Sequence, residues 1–439
     1  MNRPAAPRRG SILRAAALIG LAAADTAPAE DPAPAAAPAG LATATSSHAG
    51  ETAPAADWPQ FLGPHRSGSV EESVAVWPDE GPTILWRRPA GDGFSGIAVA
   101  GGRAYTLWTE KRREYLFCLD AADGSELWRL DTGGKYFEPQ GGNGPRSTPS
   151  VAGDHVYALG ATGRLVAVHA ATGKVLWSAD LPSLFGGQMP RWGFSGSPLV
   201  DGDLLLVETA GGPGRALGAL NRFTGEVVWS ALDDPGSYSS PVAVDLAGMR
   251  QAVFFMRTGL VAVDPADGRL LWRRAWETPY DVHATTPLVI PPDGVFISSG
   301  YDKGAALVRV TRDGEALKAE TVWTSRFMAN RMATSVYADG HLYGFDSTIL
   351  KCISAATGAE AWKVRGYGEG TLIRAGDKLV VLSDQGLLAL VRAAPKAHQE
   401  VARAQVLEGK RCWTAPTLAG GRLFLRDDRE VVCVDLSPG

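Results

Sequence analysis

The chain has 439 residues, 43 basic and 47 acidic side chains for a net charge of −4, 45% hydrophobic residues and 52 glycines. The hydrophobic share excludes a wholly disordered chain, the slight acidity leaves non-specific nucleic-acid binding without an electrostatic basis, and no apolar run approaches the roughly 20 residues of a membrane helix. Glycine at this abundance points to many tight turns, and so to β-structure.

Arg3, Arg8, Arg9 and Arg14 precede or open onto a short apolar run, Ala15 to Ala24, with small-residue cleavage sites at Ala22-Ala23-Ala24 or Ala27-Pro28-Ala29. A positive start, a short apolar middle and a small-residue end make a secretory signal. Residues 1–24 are therefore expected to direct export, and the mature protein to be periplasmic or extracellular. Arg8-Arg9 admits twin-arginine export, although Gly10-Ser11 departs from the usual continuation. No cysteine precedes Cys118, so signal cleavage leaves no acceptor for lipid. Residues 25–56 hold 13 alanines and 5 prolines with no aromatic residue. Such a segment buries too little to offset its ordering entropy and reads as a tether. Folded structure is expected to begin near Asp57-Trp58-Pro59-Gln60-Phe61-Leu62, with 57–82 as a lead-in packed outside the domain that follows.

From Thr83 onward the chain repeats itself. LDAADGSELW (119–128), VHAATGKVLW (168–177), LNRFTGEVVW (220–229), VDPADGRLLW (263–272) and ISAATGAEAW (353–362) share one form. An apolar strand enters, an Asp-Gly or Thr-Gly turn reverses it, and a short strand ends in Trp. Glycine supplies the positive φ that such a turn needs. Trp86 and Trp323 fit the same place, and an eighth falls at Leu407, giving intervals of 39–52 residues. A second element follows each marker: GIAV (96–99), TPSV (148–151), SPLV (197–200), SPVA (240–243), TPLV (286–289), TSVY (334–337), TLIR (371–374) and APTL (415–418). The unit is four antiparallel strands, which is a propeller blade. The last unit supplies only three strands, and Thr83–Arg88 is a lone outer strand ahead of the first full unit. Together they make one blade. The sequence therefore predicts an all-β, eight-bladed propeller over 83–437, closed by pairing its N- and C-terminal strands, which removes exposed sheet edges.

The repeated T/D-G-x-x-x-W outer strand, with S/T-P-x-V on the inner strand, resembles the quinoprotein-alcohol-dehydrogenase-like (PQQ-like repeat) propeller family. The resemblance covers about residues 83–437 and implies that each Trp docks between neighbouring blades. The family holds quinone-dependent dehydrogenases and non-catalytic members, among them the propeller lipoprotein of the outer-membrane-protein assembly machinery. Its enzymes carry an adjacent cysteine pair, which this sequence lacks.

The four cysteines read as packing. Cys118, Cys352 and Cys433 occupy a strand position held in other blades by Ala167, Ala219 and Ala262. Matching positions on separate blades lie too far apart to bridge, so four free thiols are expected. No H-x-x-H, C-x-x-C or clustered acidic motif suggests a metal.

Loops that enter the inner strands crowd one mouth of the channel, where sites in ring folds form. Reading back from each inner strand gives Asp92 and Phe94, Asn143 and Arg146, Arg191 and Trp192, Tyr238, Asp281 and His283, Asn330 and Arg331, Tyr367 and Glu369, and Arg411 and Trp413. Guanidinium groups pair with carboxylates, and aromatic rings stack on flat groups. Arg146, Arg191, Trp192, Tyr238, His283, Arg331, Glu369 and Trp413 are thus candidates to bind an anionic ligand, with Asp92, Asp281 and Glu369 as internal counter-charges. Two functions follow. One is a monomeric, non-catalytic binding or scaffold propeller for a protein, cell-envelope or anionic partner. The other, implied by the resemblance, is a dehydrogenase using pyrroloquinoline quinone with calcium on an alcohol or sugar.

Overall fold

The computed structural model describes residues 57–409 and 411–438. The export signal expected over 1–24 and the tether over 25–56 lie outside the described residues. Eight four-stranded antiparallel blades follow one another. Blade 1 is Ala98–Ala100, Arg103–Glu110, Arg113–Asp120 and Glu126–Gly134, ordered from the axis outward. Blades 2 to 7 begin at Ser150–Ala152, Leu199–Asp201, Val242–Leu246, Leu288–Ile290, Val336–Ala338 and Thr371–Ala375. Blade 8 is composite: Ile84–Pro89 lies beside Glu430–Asp435, followed inward by Arg422–Arg426 and Thr417–Ala419. The inner strand of blade 8 packs on that of blade 1, so the ring closes as the strand count predicts.

Burial explains the pattern of each strand. The second and third strands are covered on both faces by neighbouring blades and read as continuous apolar runs, such as the buried Leu165–Val168. The outer strands face water on one side and alternate, most plainly in Ala316–Ser325.

The Trp and Gly markers belong to one contact. In five of the seven, Trp86, Trp128, Trp177, Trp229 and Trp323, the docking indole lies on the turn glycine of the next blade. A Cβ at Gly124 would stand 2.6 Å from Trp86, one at Gly173 would stand 2.7 Å from Trp128, and one at Gly225 would stand 2.7 Å from Trp177. These glycines also have φ of 68–77°, so both turn and dock require the missing side chain. Most of the indole N–H groups donate to a backbone carbonyl of the same neighbouring blade: Trp128 to Ala170 at 3.0 Å, Trp177 to Arg222 at 2.9 Å and Trp229 to Pro265 at 2.8 Å. Trp272 differs and donates to Gln251 Oε1 within its own blade at 2.6 Å. Opposite the Trp on the third strand stands a small residue in six blades, Cys118 facing Trp128, Cys352 facing Trp362 and Cys433 facing Trp86, whereas Trp323 faces Leu307. The eighth marker is Arg403, not Leu407. In blade 7 it is Arg403 that faces the small Ala389, and it forms an ion pair with Glu400. With no Trp to mark the register, counting alone places the position four residues late.

The Ser/Thr of the inner motif joins blades on the axial side. The N–H of Thr148 donates to Ser197 Oγ at 2.9 Å, that of Ser197 to Ser240 Oγ at 2.9 Å, and that of Thr286 to Thr334 Oγ1 at 3.1 Å. The seam between blades 8 and 1 carries an added staple. Arg426 is fully buried and donates to the carbonyls of Gly91, Gly93, Ser95 and Leu107.

The lead-in departs from expectation. Its first part, 58–70, lies inside the ring, not outside, and the rest passes along blades 7 and 8, where the Ala75 N–H donates to the Leu436 carbonyl. Trp58 exchanges two 2.8 Å backbone hydrogen bonds with Val99 of blade 1, and the Pro59 carbonyl accepts from Val151 of blade 2. The chain then crosses the bore, and Ser69–Val70 runs parallel to Thr371–Ala375 of blade 7 as a fifth strand. The physical reason is that a ring of eight leaves an axial hole, and this segment carries the apolar residues that fill it.

Two outcomes follow. All four cysteines are buried and free, so alkylation without reductant should label none quickly in the native protein and four per chain in denaturant. Arg426→Leu leaves several buried carbonyls without a donor and should cost about 3 kcal/mol or more, read as a lower midpoint of urea unfolding.

Candidate functional site

With the lead-in across the bore, the channel becomes a cup of about 510 Å³ open on the loop face. Its floor is Trp58, Phe61 and Leu62 from the lead-in, and its wall takes residues from all eight blades. Six of the eight candidate residues line it: Arg146, Arg191, Trp192, Tyr238, Arg331 and Trp413. Glu369 stands in an adjoining recess and pairs with Arg331 at 2.7 Å.

Each arginine is held differently. Arg146 donates to the carbonyls of Gly144 and Gly142 at 2.7 and 2.6 Å, between the rings of Tyr136 and Phe94 at 5.2 and 5.8 Å. Burial lowers its pKa, partly opposed by Tyr136 and Glu138. Arg191 stacks 5.0 Å over Trp192 and reaches Gln140 at 3.4 Å. Arg411 lies 5.6 Å over Trp413, which packs on Phe94 at 5.2 Å. Trp192 in turn meets Tyr238 edge-on at 5.4 Å. The counter-charges fall out unevenly. Glu369 neutralises a cup arginine, whereas Asp92 pairs with Lys135 and Asp281 with Arg257. Among the described residues no carboxylate lines the cup itself.

His283 does not join the cup. Its neighbours Val282 and Ala284 line the wall, so alternation turns His283 into the blade. There it is fully buried, stacks on Phe255 at 4.2 Å, accepts from Ser299 Oγ at 3.0 Å and donates to the Arg257 carbonyl at 3.2 Å. Burial pushes its pKa down to about 4.

Sequence reasoning missed the floor and two wall aromatics, Tyr280 and Tyr301, which meet at 4.9 Å. The signal for the floor was present: Trp58, Phe61 and Leu62 are too apolar for a segment lying on a surface. Tyr301 comes from the turn after a second strand, a place that reading back from inner strands does not inspect.

A protein-family model described as outer membrane protein assembly factor BamB matches residues 112–364. The chain belongs to this family of PQQ-like propellers. It is 24% identical over 333 residues to the BamB of Shewanella oneidensis, covering 70% of this chain and 76% of that protein. A shorter match, 26% over 140 residues, links it to a quinohemoprotein alcohol dehydrogenase of Pseudomonas putida, covering 31% of this chain and 20% of that protein. Among solved structures, BamB from Moraxella catarrhalis superposes with a TM-score of 0.58 at 17% identity, over 81% of this chain and 100% of that one. The quinohemoprotein alcohol dehydrogenase from Comamonas testosteroni superposes with a TM-score of 0.62 at 14% identity, over 89% and 82%. At these identities the superpositions carry the fold alone.

The residues of the cup do not fit a calcium-bound quinone. Calcium takes oxygen ligands among which carboxylates dominate, and the cup wall offers none. Among the described residues no three His, Cys, Asp or Glu side chains gather into a metal site.

The buried His283 makes a pH prediction. Its folded pKa lies below its unfolded value, so the unfolded chain binds the proton first and stability is lost as pH falls from about 6.5 to about 4. His283→Gln removes that dependence. The stability difference between wild type and variant should change by up to about 3 kcal/mol across this window and stay flat above it, as measured by urea unfolding at each pH.

Proposed function

We propose that this protein is an exported, non-catalytic binding propeller whose cup receives an acidic, aromatic-bearing segment of a protein partner. The observation that carries the reading is the cup: one-ended, aromatic-walled, with Arg191 and Arg331 at its mouth and no carboxylate in its lining. An apolar floor and stacking walls take a ring, and the arginines take carboxylates flanking it. Exposed Phe137, Met189 and Phe327 come from loops that enter inner strands, as the cup residues do, and extend the apolar surface available on that face. Membership of the BamB family supports a protein partner, since the relatives are named for an assembly factor.

The test is selection from a random peptide library on the full chain. Aromatic residues flanked by Asp or Glu should be enriched, and binding of the best peptide should weaken as salt rises. The double variant Arg191→Ala, Arg331→Ala should lose at least about tenfold in affinity with an unchanged unfolding midpoint. Enrichment of basic peptides, or turnover of an alcohol after addition of quinone and calcium, overturns the proposal.

A further inference from the structure

One side chain joins the lead-in to the ring at its axis. Arg66 is 2% exposed. Its Nη1 donates to the carbonyls of Ser197 and Pro241 at 3.1 and 3.0 Å. Its Nη2 donates to Ser150 Oγ at 3.3 Å and to the Pro198 carbonyl, and its Nε to Gln60 Oε1 at 2.8 Å. Blades 2, 3 and 4 therefore meet at one cation, and none of its five partners is a carboxylate. Burial without a counter-charge pushes its pKa down to about 9. Its backbone has a φ of 51°, as Leu62 has one of 57°. Left-handed backbone costs a residue with a side chain roughly 1–2 kcal/mol and persists where the surroundings fix it.

The repeat explains why the bore accepts such a group. Each inner strand is the axial edge of its sheet, so one side of its backbone has no strand to pair with. Pro149, Pro198, Pro241, Pro287 and Pro416 stand at the start of inner strands, where each removes an N–H and keeps a carbonyl. The Ser/Thr hydroxyls of adjacent blades take up N–H groups at several of these starts. What remains on the axis is an excess of acceptors. A guanidinium is the complement: five N–H donors in one plane, no acceptor, and weaker hydration than an ammonium. A compact ammonium cannot span carbonyls of separate blades.

We propose that the bore of this ring is an axial guanidinium-binding site, filled in cis by Arg66, and that filling it seats the lead-in as the floor of the cup. The site belongs to the ring, so it should accept a guanidinium that arrives without the Arg66 backbone. This holds whatever the cup binds.

The test uses the full chain with Arg66→Ala, whose missing atoms are those of ethylguanidinium. The variant should melt lower by about 5 °C, and proteolysis should cut it within 57–82, where wild type resists. Millimolar ethylguanidinium should restore both properties saturably in the variant and leave wild type unchanged, while propylammonium restores neither. Should Arg66→Ala fail to fold alone, the same two cations are compared during refolding, and recovery with ethylguanidinium only is expected. Equal effects of the two cations, rescue by neither, or a variant as stable and protected as wild type overturns the proposal.

Discussion

An eight-bladed ring encloses a hole, and the hole is lined by strand edges whose polar groups have no partner in their own sheets. That constraint organises the molecule. Neighbouring blades are joined at the rim, at most seams, by an indole docked on the next blade, and at several inner-strand starts by a hydroxyl on an N–H. At the axis the geometry offers no ninth element. The chain supplies one from its own lead-in, whose Trp58 pairs with blade 1, whose Arg66 meets blades 2, 3 and 4, and whose Ser69–Val70 extends blade 7. This segment closes the bore on the side away from the loops. With it, the bore is a cup with an apolar floor.

The ring itself was legible because it repeats. A glycine four residues before a tryptophan means little once, but recurring at intervals of 39–52 residues it marks a repeated unit, and the family resemblance adds that each Trp docks on a neighbouring blade. The three-strand remainder at the C-terminus and the lone strand Thr83–Arg88 implied closure by the same counting. Where the repeat lapses, legibility lapses with it. Blade 7 has no Trp, so counting alone points to Leu407 although Arg403 holds the register. The lead-in matches no unit, so periodicity says nothing of its place, and only its apolar content hinted that it could not lie on a surface.

The candidate site shows the same division at the scale of single residues. Position before an inner strand brought Arg146, Arg191, Trp192, Tyr238, Arg331 and Trp413 to one cup, because closure forces all such loops to one mouth. Direction within the loop is a separate matter. Val282 and Ala284 face the cup and the larger, polar His283 between them faces the blade, where Ser299 and a carbonyl satisfy both ring nitrogens. Residue type favoured His283 for a site, and the alternation of the local backbone decided otherwise.

The charge of the mouth is sustained without a matching set of acids. Like charges gathered in a concave site repel, and their field is focused by apolar walls. Here each guanidinium is stabilised by something other than a free carboxylate in the cup: carbonyls and two rings for Arg146, an indole for Arg191, an indole for Arg411. Arg331 is the one among these in an ion pair, with Glu369, and that acid stands in a side recess. Rings and carbonyls hold a guanidinium in place while leaving much of its charge uncancelled. A wall of paired salt bridges would present a neutral cup of the same shape. Stacked and backbone-bound arginines present a positive one, and it is on this choice of partners, more than on the number of arginines, that the proposal of an anionic guest rests.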